Sequence, residues 1–178
     1  MLNCIEKRIS IRKYLQKDID DKIIQELIES ARIAPSGSNT QPWHFIIVKD
    51  GNKKKEIAEV SHNQNWMLTA PVFIVCVADL SVRIKKEKIE IDENSSLEEV
   101  KQIIRDTAIA VEHIVLEAAE RGLGTCWVSW FRQENIRPVL NIPKDKYVVC
   151  VLTLGYPDEK PARRPRKNKE QFTHYELW

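Results

Sequence analysis

Two short apolar runs do most to limit what this chain can become. Residues 72–78 read VFIVCVA and residues 147–154 read YVVCVLTL. Both are rich in β-branched residues and lack the polar alternation of a half-exposed strand. The first reads as a strand buried on both faces, and the second as another apolar strand. A sheet containing such strands needs cover on each side. A third strand is expected at Trp43–Val48 and a fourth at Thr125–Phe131, TCWVSWF.

Helical spacing supplies the cover. Ile23, Ile24, Leu27, Ile28 and Ala31 recur at helical intervals after Asp20 and Asp21, which suit a helix start; Pro35 closes that helix. A short helix is expected over Lys54–Val60. A long one is expected from Leu97 to about Arg121, introduced by a Ser96–Glu99 capping box and ended by Gly122. Its stripe of Val100, Ile104, Ala108, Val111, Val115 and Ala118 is widened by Ile103, Ala110, Ile114 and Ala119. So broad a face implies burial against the sheet and room for a partner chain. Ile136–Leu140 reads as a further short helix. Helices and strands do not alternate regularly, so the expected class is α+β: one domain over 1–178, with a central sheet flanked by helices.

The whole-chain numbers exclude more than they suggest. With 178 residues, 43% hydrophobic, 30% charged and a net charge of +2, the chain has material for a core. It has no basic excess of the nucleic-acid-binding kind. No apolar run approaches ~20 residues, and the start MLNCIEKRIS lacks a signal-type apolar core. A cytoplasmic protein without membrane or nucleic-acid partners is expected. Cys4, Cys76, Cys126 and Cys150 are widely spaced and read as free, buried thiols, with Cys76 and Cys150 inside apolar runs; no histidine spacing suggests a metal.

Five polar features remain. In Arg8-Ile9-Ser10-Ile11-Arg12, an extended chain puts Arg8, Ser10 and Arg12 on one side, suited to a phosphate or polyol. A solvated basic face is the plainer alternative. The stretch 34–43, APSGSNTQPW, crowds hydroxyls, amides and free N–H groups into one loop, beyond what a connector needs. Asn63-Gln64-Asn65-Trp66 forms a second polar loop. The tail from Asp158 carries Arg163, Arg164, Arg166 and Lys167, then Phe172, Tyr175, Leu177 and Trp178, whose apolar surface argues for a docked end. The charged stretch Asp79–Glu99 reads as a surface excursion or frayed helix.

Taken in order, the RISIR block, PSGSNTQPW, Gly122-Leu123-Gly124-Thr125-Cys126-Trp127, Leu154-Gly155-Tyr156-Pro157 and Arg164-Pro165-Arg166-Lys167 resemble the nitroreductase family of flavin oxidoreductases. The resemblance implies an intertwined homodimer whose C-terminal tail wraps the partner, with FMN at the interface. It implies that Arg8, Ser10 and Arg12, with Ile9 between them, hold the FMN phosphate, ribityl chain and ring edge, and that Arg164 and Arg166 also reach the phosphate. Pro35, Ser36, Asn39 and Gln41 would approach the flavin from the other subunit. Trp127, Val128, Ser129 and Trp130 would lie beside the ring, with Asn63 a further neighbour. NADH or NADPH would reduce the flavin at N5, and a nitroaromatic or quinone would reoxidise it in ping-pong fashion, with no side-chain acid or base assigned. The charged stretch would serve as a pocket wall or lid. Ser129 and Trp130 depart from a family pattern with glycine there. A bulky Trp130 over the ring would favour the alternative, a flavin-binding protein for storage or sensing without turnover.

Overall fold

The computed structural model describes residues 1–85 and 89–178. In chain order its elements are α1 (Asn3–Lys7), α2 (Asp21–Arg32), β1 (Trp43–Val48), α3 (Gly51–Val60), β2 (Val72–Asp79), α4 (Glu98–Glu120), β3 (Gly124–Val128), α5 (Gln133–Val139) and β4 (Lys146–Gly155). The strands form one antiparallel sheet in the order β1-β2-β4-β3. The two apolar runs are its central strands.

Each face of the sheet has its own core. Ile74 and Cys76 of β2, with Cys150, Leu152 and Leu154 of β4, pack against Ile24, Leu27 and Ala31 of α2 and Ala110, Val111 and Ile114 of α4. Phe73, Val75 and Val77, with Val148 and Val151, pack against Ile57 and Ala58 of α3 and Ile136 of α5. A bulge opposite Cys76 and Val77 inserts Val149 into β4. It switches the alternation, so Val148 joins the second core while Val149 turns to a third cluster with Leu80, Ile91, Val100 and Ile103. Each fully buried branched or aromatic side chain contributes about 1.5–3 kcal/mol.

Several boundaries shift. Asp20 caps α2 by accepting from Lys22 N–H, and the helix stops at Arg32, ahead of Pro35. α3 begins at Gly51 because Asp50 accepts from Lys53 N–H, a cap hidden in the polar stretch. The Ser96–Glu99 capping box does not form: α4 starts after Leu97, which provides no side-chain cap. At its other end Gly122 adopts φ 73°, and the N–H groups of Gly122 and Leu123 return to Ala119 and Ala118 carbonyls. β3 stops at Val128, leaving Ser129 and Trp130 outside the ladder, and α5 starts at Gln133. α1 was not anticipated; its five residues are too few for a periodic signal.

One larger expectation changes. The charged stretch is not a frayed helix among its described residues. After a 3-10 turn at Leu80–Val82 it runs irregularly and is pinned at Ile91, whose N–H donates to Lys144 O and whose carbonyl accepts from Arg137. Lys86, Glu87 and Lys88 lie outside the described residues. The tail does not dock on its own protomer. Beyond Glu159 its hydrogen bonds among the described residues are local, and Tyr175 and Trp178 are 86% and 101% exposed. Its polar, proline-bearing stretch carries the apolar end away from both cores. All four cysteines are free, with Cys76, Cys126 and Cys150 buried.

Candidate functional site

The two ends of the chain run side by side. Ser10 forms a single parallel bridge with Thr125 of β3, and Ile11 N–H donates to Thr125 O at 2.9 Å. Ile11 fits over Gly124, where a Cβ would come within 2.7 Å of it. Leu15 N–H donates to Tyr156 O and Asp158 N–H to Lys13 O, both at 2.9 Å. The Glu159 carboxylate accepts from Lys13 N–H at 3.1 Å and from Arg12 N–H. Beneath this ribbon the Tyr14 hydroxyl donates to Ile11 O at 2.6 Å and meets Thr153 Oγ1 at 2.7 Å. Burial pushes the Tyr14 phenol well above its ordinary value, so it stays a neutral donor.

This arrangement brings Arg8, Ile9, Ser10 and Arg12 to one wall of a cleft and Arg163, Arg164 and Arg166 to the other, around a volume of about 230 Å³. Among the described residues none of these five arginines pairs with a carboxylate. Among the described residues the Arg166 guanidinium donates only to Arg164 O, at 3.3 Å. Guanidiniums gathered without a paired carboxylate repel one another, and a dianionic phosphate is the ligand their forked donors match. The donor set therefore fits the phosphate end of FMN, and the Ser10 hydroxyl suits its polyol. Behind the cleft, burial pushes the Cys126 thiol up against the pull of Arg12, so it remains an uncharged wall.

A surface leads from the cleft toward the second polar loop. The Arg12 guanidinium carbon lies 5.8 Å from the Trp66 ring centre, and Trp66 Nε1 donates to Gln64 Oε1 at 3.2 Å. In the same loop His62 and Asn63 both take positive φ, and the His62 ring stacks on Trp130 at 3.9 Å. Trp127 and Trp130 are 38% and 65% exposed, Ser129 is exposed, and Val128 is buried beneath them. The Asn63 loop and the Trp127–Trp130 strand end thus face each other across one aromatic contact.

Pro35, Ser36, Asn39 and Gln41 do not line the arginine cleft of their own protomer. Their loop closes on itself: Ser36 Oγ accepts from Gln41 N–H at 2.9 Å, and Gln41 Nε2 donates to Asn39 Oδ1 at 3.1 Å. Gly37 N–H donates to Asp106 of α4 at 3.2 Å, and Arg83 donates to both Asp106 and Gly37 O. Sequence reasoning passed over Asp106, Arg83, Glu159 and the stacking role of His62. Asp106 alone left a trace, as an acid among the apolar positions of α4.

The match to known proteins covers this whole frame. A family model described as the nitroreductase family matches residues 5–93 and 61–156. The FMN reductase [NAD(P)H] of Bacillus subtilis is 30% identical over 95% of this chain and 70% of its own length. A nitroreductase family protein from Clostridium novyi NT superposes with a TM-score of 0.74 at 35% identity, covering 88% of this chain and 84% of the other. An FMN-dependent nitroreductase from Clostridium difficile R20291 superposes with a TM-score of 0.81 at 27% identity over 100% of both chains. The ordered sequence blocks, the sheet that carries them and these matches agree, and the chain belongs to the nitroreductase family.

Proposed function

We propose that this chain is a single FMN-binding domain over 1–178, acting as an NAD(P)H-dependent oxidoreductase on a small electrophilic acceptor such as a nitroaromatic or a quinone. The observation that carries the reading is the cleft between the chain ends, where five arginines meet without a carboxylate partner among the described residues. The names of its relatives, an FMN reductase [NAD(P)H] and an FMN-dependent nitroreductase, support the same cofactor and donor. When bound, FMN supplies the ring that takes hydride from NADH or NADPH and passes electrons on, donor and acceptor using one place in turn.

The protein's part is binding, orientation and charge. Arg8, Arg12, Arg164 and Arg166 hold the phosphate, and Ser10 the polyol; Ile9 covers the cleft floor. Pro35, Ser36, Asn39 and Gln41 come from a second copy, which makes the working unit a homodimer with two sites. Asn63, Trp127, Val128, Ser129 and Trp130 border the ring. An arginine near the ring edge stabilises the negative charge of the reduced cofactor, and the proton comes from solvent. The charged stretch after Asp79 forms a wall of the pocket. Trp130 rests on His62 in the protomer, which counts against its blocking the ring as the storage reading requires.

Purified protein should be yellow or become so on addition of FMN and keep its colour through dialysis. Anaerobic NADH or NADPH should bleach it, and an acceptor should restore the colour. Protein that stays colourless defeats the reading. Colour that neither donor bleaches favours storage or sensing.

A further inference from the structure

We propose that Arg83 and Asp106 form a positioning pair that holds the Pro35–Gln41 loop in its ligand-ready shape. The inference rests on the reading that Ser36 and Asn39 meet the flavin. Asp106 stands on the buried side of α4, and its Oδ2 accepts from Gly37 N–H at 3.2 Å and from Arg83 Nη2 at 3.1 Å. The same Arg83 nitrogen donates to Gly37 O at 3.2 Å. One ion pair therefore grips both the N–H and the carbonyl of a single loop residue, from two other elements. Its side chains are only 16% and 11% exposed.

A buried ion pair adds little net stability, because desolvation offsets the attraction. What this pair does supply is fixed geometry. The loop needs it, since Ser38, Asn39 and Gln41 sit at φ 54°, 53° and 47°. Non-glycine residues persist in that region only where the surroundings hold them. The Ser36–Gln41 and Asn39–Gln41 hydrogen bonds lie within the loop and cannot anchor it to the body. Between Pro35 and Gln41 the body takes hold at Gly37, while beyond them Pro42 O accepts from Asp79 N–H at 2.7 Å. A Cβ there would lie 2.7 Å from Arg83 Nη2, so any side chain displaces the guanidinium. Arg83 follows the 3-10 turn that ends β2, so the pair also ties the loop to the root of the charged stretch.

The test compares wild-type full-length protein with Arg83→Lys, Arg83→Ala, Gly37→Ala and Asp106→Asn. It measures amide hydrogen exchange at residues 37–41, FMN dissociation by titration, and visible circular dichroism of the bound flavin. Exchange should quicken within the loop and not in β2 or α4. FMN affinity should fall about 10-fold or more, as expected for loss of a charged hydrogen bond. Arg83→Lys, which keeps the charge but not the fork, should fall between wild type and Arg83→Ala, and the dichroism should shift in the same order. If Asp106→Asn does not fold, the Arg83 series decides. Variants that bind FMN as wild type does, with unmoved dichroism, overturn the pair and leave the functional reading standing. Wild-type protein that binds no FMN overturns the functional reading, and exchange alone then judges the clamp.

Discussion

Arg8 and Arg164 come from opposite ends of the chain and face the same cleft without a carboxylate partner among the described residues. Replacing either by alanine should weaken FMN binding by about 10–100-fold, the range for one charged hydrogen bond. Stability of the cofactor-free protein should hardly change, because the deletion also relieves repulsion. Fluorescence titration and thermal unfolding would separate the two effects. Tyr14 acts at the same scale in the opposite sense. Tyr14→Phe leaves Thr153 and Ile11 O without their phenol partner, so denaturant unfolding should show a loss of about 1–3 kcal/mol. Asp79 gives a pH prediction. Burial pushes its carboxyl up, but Lys146 at 2.7 Å and the Ser81 N–H outweigh it and leave the group below the usual carboxylate range. The native state then binds fewer protons than the unfolded chain near pH 4. Asp79 thus contributes stability above the unfolded value of about 3.9, and loses it as pH falls through the lower folded value. Asp79→Asn should flatten that part of the acid-unfolding curve. An unchanged acid limb would sink the assignment.

At the level of elements, the cleft depends on how the N-terminal segment lies on β3. Ile11 seats over Gly124, so Gly124→Ala forces a methyl within 2.7 Å of its side chain. The expected cost is about 1–3 kcal/mol, the usual range for overpacking, together with weaker FMN binding as Arg8 and Ser10 shift. A variant that unfolds more easily yet binds FMN normally would detach the ribbon from the site. The alternation of Arg8, Ser10 and Arg12 was legible in the sequence, because an extended chain has a period of two. What anchors that ribbon was not. Its bonds run to Thr125, Tyr156 and Glu159, more than a hundred residues away, and no local pattern marks them. α4 shows the same division. Its apolar stripe predicted a long buried helix, whereas Asp106 within that stripe acquires meaning only beside Gly37 and Arg83.

The exposed tail belongs to the whole assembly. Phe172, Tyr175, Leu177 and Trp178 remain in water in the protomer, a costly arrangement for so much apolar surface. The proposed homodimer would cover them. Full-length protein should sediment as a dimer, and removal of residues 169–178 should weaken dimerisation by at least about 100-fold, given about 1.5–3 kcal/mol for each large side chain buried. FMN affinity should drop with it, since the Pro35–Gln41 loop would no longer meet the neighbouring cleft. A monomer of residues 1–178 that binds FMN tightly would refute the two-copy arrangement. No helix among the described residues is long and apolar enough to cross a membrane.

What the sequence determined by itself was everything governed by short-range periodicity and ordered motifs. The buried central strands, the amphipathic helices, the glycine stop at Gly122 and the basic alternation near the start all follow from backbone geometry over a few residues. The blocks that mark the family are equally local. Tertiary structure alone decided which groups meet: Arg8 with Arg164, Arg12 with Trp66, His62 with Trp130, and Asp106 with Gly37. The bulge at Val149 was likewise decided there. The physical reason is range. A hydrogen bond, a stacked ring or a shared charge can join residues at any separation along the chain, and only the packed sheet brings them into contact.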